Sequence, residues 1–151
     1  MEKLGDRNKM DLLSRNYVGH LAFIDKGSPY VIPITYYYDA DSGYIISYSS
    51  EGHKIKSMRK DKRVALCVDE IDTVSNWRSV LVHGEFEEVD GSSAKLLLHR
   101  FAEGIKSLIR DKEQRHIQFI SQFSSKLKSE KTPLVYKIHI LEITGRTRTD
   151  D

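Results

Sequence analysis

Residues 29–60 constrain this chain more than any other stretch. PYVIPITYYYDADSGYIISYSSEGHKIKSMRK spells a β-strand, a tight turn, a second strand and then a basic helix entered through a glycine. The junction Ser49-Ser50-Glu51-Gly52-His53-Lys54 places small hydroxyls, a glycine and a lysine where that helix begins. A helix start carries unpaired N–H groups and the positive end of the helix dipole, which together favour an anion. A phosphate-bearing ligand is the expectation, with an extended strand surface beside it for the rest of the molecule.

The remaining β-rich runs alternate in the same way. Tyr17 to Asp25 and Tyr30 to Tyr38 flank the turn Asp25-Lys26-Gly27-Ser28, and Asp39-Ala40-Asp41-Ser42-Gly43 leads into Tyr44 to Ser49. Arg63 to Glu70, Ser79 to Val89 and the segment after Pro133 complete six strands. Helices are expected over 6–16, capped by Asp6 with Met10 and Leu13 on one face, and after Asp90-Gly91-Ser92-Ser93, with Leu97, Phe101, Ile105 and Leu108 as the apolar stripe. A further helix is expected from about Lys112 to Lys126, turning Ile117, Ile120 and Phe123 inward. The pattern predicts a mainly β fold with flanking helices: a closed or partly closed antiparallel barrel, which removes exposed strand edges.

Pro33 stands in mid-strand. It cannot donate to a ladder, so its stretch is an edge, a bulge or a partly unpaired surface. A plain edge strand and a free backbone that reads a planar ring both remain open. In Tyr36-Tyr37-Tyr38 the alternation sends Tyr37 away from its neighbours, so strand packing accounts for the run better than an aromatic cage.

At 151 residues with 39% hydrophobic and 30% charged residues, the chain reads as one soluble globular domain, 1–151. No apolar run approaches the roughly 18–20 residues needed to span a bilayer, and the charged N-terminus does not suit a signal peptide, so a cytoplasmic protein is expected. A net charge of +2 is too mild for a dedicated nucleic-acid-binding domain, and the basic run 53–63 reads as one solvated helix face with Ile55 and Met58 inward. The single cysteine, Cys67, excludes an internal disulfide and a multi-cysteine metal site. The six histidines form no zinc pattern, so no metal site is expected; His53 is either a phosphate donor or a solvated helix-start residue.

Five motifs then occur in order: Gly19-His20-Leu21-Ala22-Phe23, Pro29 to Tyr36, Glu51-Gly52-His53-Lys54-Ile55, Trp77-Arg78-Ser79-Val80 with Gly84, and Leu141-Glu142-Ile143-Thr144-Gly145. This ordered set resembles the pyridoxamine 5'-phosphate oxidase-like FMN-binding split barrels, and within them the nitroimidazole-reductase-like branch. The resemblance implies a six-stranded antiparallel split barrel that forms a homodimer, with one FMN in each of two clefts at the subunit interface. It implies that Lys54, Gly52, His53 and the hydroxyls of Ser49 and Ser50 hold the phosphate. Pro33, Ile34, Thr35 and Tyr36 would meet the isoalloxazine ring largely through backbone groups, and Ser79 and Val80 would approach it from another strand. One position departs from the branch: Ser47 stands where many members carry histidine, and a serine cannot act as a titrating acid at neutral pH, which weighs against a specific nitroimidazole-reducing activity.

The expectation is an FMN-binding flavoprotein, an NAD(P)H-dependent oxidoreductase with a small-molecule electron acceptor. No Ser/His/Asp, paired-carboxylate or metal constellation is present to suggest other catalysis, and flavin chemistry needs none. Two alternatives stand beside it: a split barrel holding haem or a deazaflavin, and a non-catalytic binding or sensor module. Lys54 favours FMN over haem, which would want an axial histidine.

Overall fold

The computed structural model describes residues 1–112 and 133–149. Element order is β1 (Glu2–Lys3), α1 (Asp6–Arg15), β2 (Val18–Asp25), β3 (Ser28–Thr35), β4 (Tyr37–Asp39), β5 (Tyr44–Ser49), α2 (His53–Lys60), β6 (Arg63–Thr73), β7 (Asn76–Val89), α3 (Gly91–Lys112) and β8 (Leu134–Arg148). All pairings are antiparallel, in the order β3-β2-β6-β7-β8-β5-β4, with β1 added to β8.

Eight strands replace the six expected, for two reasons. Glu2–Lys3 pairs with Thr147 and Arg146, a long-range contact with no local signature. The run Tyr30 to Tyr38 also divides at Tyr36, where the chain leaves one end of the sheet and starts the other. The two ends of the sheet are thus consecutive in sequence, and the sheet curls into an antiparallel split barrel whose seam lies between β3 and β5.

Local chemistry sets the hairpins. Lys26 and Gly27 both take positive φ (51° and 79°), the two-residue turn whose twist matches flanking strands. Asp25 pairs with Ser28, and the register runs cleanly to Val18 opposite Thr35. Opposite His83 and Gly84, β8 carries one extra residue, Leu141, and this bulge bends β8 against β7.

The barrel interior is filled by Leu21, Phe23, Ile45, Leu66, Val68, Val80, Val82, Phe86, Tyr136 and Ile138, and α1 and α2 close it with Leu12, Leu13, Ile55 and Met58. The helix α1 starts at Asp6, with Gly5 in the cap position, and Asp6 pairs instead with Lys9 at 2.9 Å. A second cluster outside the barrel joins Ile46 and Val135 to Leu97, Phe101, Ile105 and Ile109 of α3. The fourth buried position is Ile109 rather than Leu108, because the stripe steps by four throughout and drifts round the helix as it crosses a twisted sheet. Apart from Lys112, the helix expected over 112–126 lies outside the described residues.

Candidate functional site

The seam of the barrel is a free strand edge facing a helix start. In an antiparallel pair, backbone groups point alternately toward and away from the partner strand. The Tyr36 N–H donates to the Tyr17 carbonyl at 2.9 Å, so residues 34 and 36 face β2. Val31, Pro33 and Thr35 therefore turn their backbone groups to the open edge. Pro29 and Pro33 share this phase, so neither deprives the ladder of a donor. The edge offers N–H and C=O at Val31, a carbonyl at Pro33 and an N–H at Thr35. The Thr35 carbonyl is already used: Ser47 Oγ of β5 donates to it across the seam at 2.7 Å.

The opposite wall is the turn from β5 into α2. Gly52 takes the cap position with no side-chain cap, and the Ser49 hydroxyl donates to the Ser50 carbonyl at 2.8 Å. The first N–H groups of α2 are thus left without side-chain acceptors, and Gly52 looks onto open space. Lys54 is half-buried there and has no ion pair or hydrogen bond among the described residues; burial pushes its pKa down. A desolvated, unpaired ammonium beside uncapped helix N–H groups is an arrangement that an anion would complete. Arg59, one turn beyond, braces this corner by pairing with Glu51 at 2.5 Å and with Glu88 of β7 at 2.7 Å.

The structure brings most of the expected site residues to this seam. Pro33 and Thr35 lie on the free edge, whereas the side chains of Ile34 and Tyr36 enter the core, and Tyr36 Oη donates to the Leu13 carbonyl at 2.8 Å. Their backbone groups face β2, so neither of these two presents a group to the open edge. Ser49, Ser50, Gly52, His53 and Lys54 line the other wall. His53 is committed: its Nε2 meets Asp25 Oδ2 at 2.9 Å, its ring packs edge-on against Phe23 and Tyr30, and the bond holds the Asp25 carboxyl below its ordinary range.

Ser79 and Val80 stand apart, on β7, with β2 and β6 between them and β3. At about 4.8 Å per strand that separation is about 14 Å. Val80 is fully buried, and Ser79 faces outward beside Cys67, with Oγ 3.6 Å from Sγ. Burial and the adjacent Asp69 push the Cys67 thiol up, away from the reactive thiolate. Val18, the register partner of Thr35, also lines a cleft of about 330 Å³ with Asn16, Tyr17, His20, Asp69 and Lys112.

Sequence reasoning alone does not single out Asp25 or Arg59. Asp25 acts through His53 and Arg59 through Glu51 and Glu88, and the turn Asp25-Lys26-Gly27-Ser28 signalled only that Asp25 would stand at a hairpin end. Among the described residues no cluster could hold a metal ion, and His139 pairs with Glu87 at 2.6 Å on the exposed surface. No helix among them is long and apolar enough to cross a membrane.

Comparison with known proteins places this architecture. An uncharacterised protein of Rhizobium meliloti is 33% identical over 72 residues, which is 48% of this chain and 46% of that one, so the match spans about half the length of the relative. A FAD-binding protein of Mesorhizobium loti is 27% identical, with 99% of this chain and 97% of that one covered at a TM-score of 0.75. A proposed 5-nitroimidazole antibiotic resistance protein of Bacteroides thetaiotaomicron shares the fold at 14% identity, with coverage of 99% and 90% and a TM-score of 0.67. The model of the pyridoxamine 5'-phosphate oxidase family matches residues 6–147, nearly the whole barrel with its seam and helix start, and the chain belongs to that family.

Proposed function

We propose that this protein is an FMN-binding flavoprotein that passes electrons from a nicotinamide donor to a small-molecule acceptor. The observation that carries the reading is Lys54, a half-buried cation without a partner, at an uncapped helix start facing a free strand edge. The residues fit the cofactor's two chemistries. Lys54 and the first N–H groups of α2 would hold the phosphate, and the backbone of Pro33 and Thr35 would meet the polar edge of the ring. The flavin, when bound, supplies the two-electron chemistry; the chain supplies binding, orientation and access. The cleft beside Val18, lined from β2 and β6 one strand in from that edge, gives an acceptor a place.

The same geometry supports a homodimer. Within one protomer, β2 and β6 separate the ring-reading edge of β3 from Ser79 and Val80. A second copy would have to bring its own Ser79 to the ring. Val31 and Val18, both more than half exposed on β3 and β2, support burial of this face.

The test is a visible absorption spectrum of purified protein, recorded before and after FMN addition and desalting. A retained flavin spectrum is expected. A Soret band would move the reading to haem, and a colourless protein that refuses FMN would overturn it. The Mesorhizobium loti protein supports a second reading, FAD as the cofactor, since it is FAD-binding and resembles this chain over its full length. Titration of apo-protein with FMN and FAD in parallel decides between them.

A further inference from the structure

We propose that Ser47 is a positioning residue for the flavin ring: by donating across the seam to the Thr35 carbonyl, it fixes the strand edge that reads the ring. The role rests on the flavin reading above. Ser47 is 1% exposed and sits inside the barrel on β5, directly opposite Tyr136 of β8. Its hydroxyl has one hydrogen-bonded acceptor among the described residues, the Thr35 carbonyl at 2.7 Å. That carbonyl would otherwise be an open acceptor at the mouth of the seam.

The consequence is a change in what the edge presents. Backbone phase turns both Thr35 groups away from β2. With its carbonyl already accepting from Ser47, Thr35 has its N–H as the wholly unengaged group, and Pro33, which has no N–H, offers its carbonyl alone. The edge therefore reads donor at 35 and acceptor at 33. A flavin's pyrimidine edge carries carbonyl acceptors flanking a ring N–H, and this spaced donor and acceptor complement it. Ser47 also pins the peptide plane after Thr35, just before the chain crosses from β3 to β4, so the edge geometry is set before any ligand arrives.

Tyr136 isolates the effect. It is fully buried, and its hydroxyl has no hydrogen-bond partner among the described residues. Ser47 lies near enough to temper the upward push of burial on this phenol, which still reaches about 12, yet the two hydroxyls do not meet hydrogen-bond geometry. The proton of Ser47 belongs to Thr35. Removing the Tyr136 hydroxyl should leave the seam as it is.

The experiment compares wild type, Ser47→Ala, Ser47→Cys and Tyr136→Phe. Apo-protein is titrated with FMN, the absorption spectrum and the 15N resonances of bound labelled FMN are recorded, and thermal unfolding of each apo-protein is measured separately. Ser47→Ala is expected to weaken FMN binding about tenfold and to shift the ring N3 resonance, since one hydrogen bond that holds the edge is lost. Ser47→Cys fills the same space with a weak donor, should fall between the two, and decides the matter if the alanine variant does not fold. Tyr136→Phe should match wild type in affinity and resonance. Wild-type affinity and resonance in both Ser47 variants, whatever their stability, would overturn the role alone. A wild type that takes up neither FMN nor FAD would overturn the flavin reading and this role with it.

Discussion

Tyr36 and Leu13 are both fully buried, and the Tyr36 hydroxyl donates to the Leu13 carbonyl at 2.8 Å near the end of α1. One side chain thereby anchors the crossing between β3 and β4 to the helix that plugs the barrel. Burial raises the phenol well above its ordinary pKa, so it stays a donor across the accessible pH range. Tyr36→Phe keeps the ring and strands a buried carbonyl. The expected loss is about 1–3 kcal/mol of stability, read as a lower urea midpoint with an unchanged slope. An unchanged midpoint would show that the carbonyl finds another donor.

Lys54 should show opposite signs in two measurements. Replacing a desolvated, unpaired ammonium by Lys54→Met relieves a charge that burial disfavours, so the apo-protein should unfold at a higher temperature. The same change removes a charge-assisted bond to phosphate and should weaken FMN binding by about 1.5–3 kcal/mol. Equal affinity in titration would remove Lys54 from the phosphate site.

Glu70 gathers Arg15 of α1, Asn16 and Arg78 of β7, with bonds of 2.6 to 3.2 Å. These donors hold its carboxyl at about 2, below the 4.5 of an unperturbed glutamate. A depressed folded-state pKa contributes stability that is present above about 4.5 and lost as pH falls toward 2. In acid denaturation the stability difference between wild type and Glu70→Gln should therefore be constant near neutrality and shrink through that window. A difference independent of pH would assign the effect to packing instead.

Gly84 sits at the bulge where β7 shifts register on β8. A side chain there would drive into the His139 carbonyl and stand 2.7 Å from Ile138 Cγ2. Because one obstacle is backbone, relaxation cannot clear it cheaply. Gly84→Ala should cost about 1–3 kcal/mol or prevent soluble expression, checked by thermal unfolding; wild-type stability would mean that the bulge can shift.

Much of this was legible in the sequence because it is local. Period-two alternation marked the strands, Lys26-Gly27 marked a tight hairpin, and Ser49 to Lys54 marked the helix start. What the sequence did not reveal depends on residues far apart in the chain. Nothing local in Tyr36 says that the chain changes ends of the sheet there, and nothing in Glu2–Lys3 says that it pairs with residues 146–147. His53 looked like a phosphate donor or a solvated residue until folding brought Asp25, Phe23 and Tyr30 around it. Ser47 read as a missing histidine, and only closure of the barrel sets its hydroxyl against Thr35.

Residues 134–148 form a strand inserted between β7 and β5, with β1 added alongside. During synthesis, everything up to α3 must therefore wait as an unjoined sheet half and a loose hairpin. The ring of strands can shut only once the ribosome has delivered that segment. A stalled or truncated chain would display two long unsatisfied edges at once, the state from which strand-mediated aggregation begins.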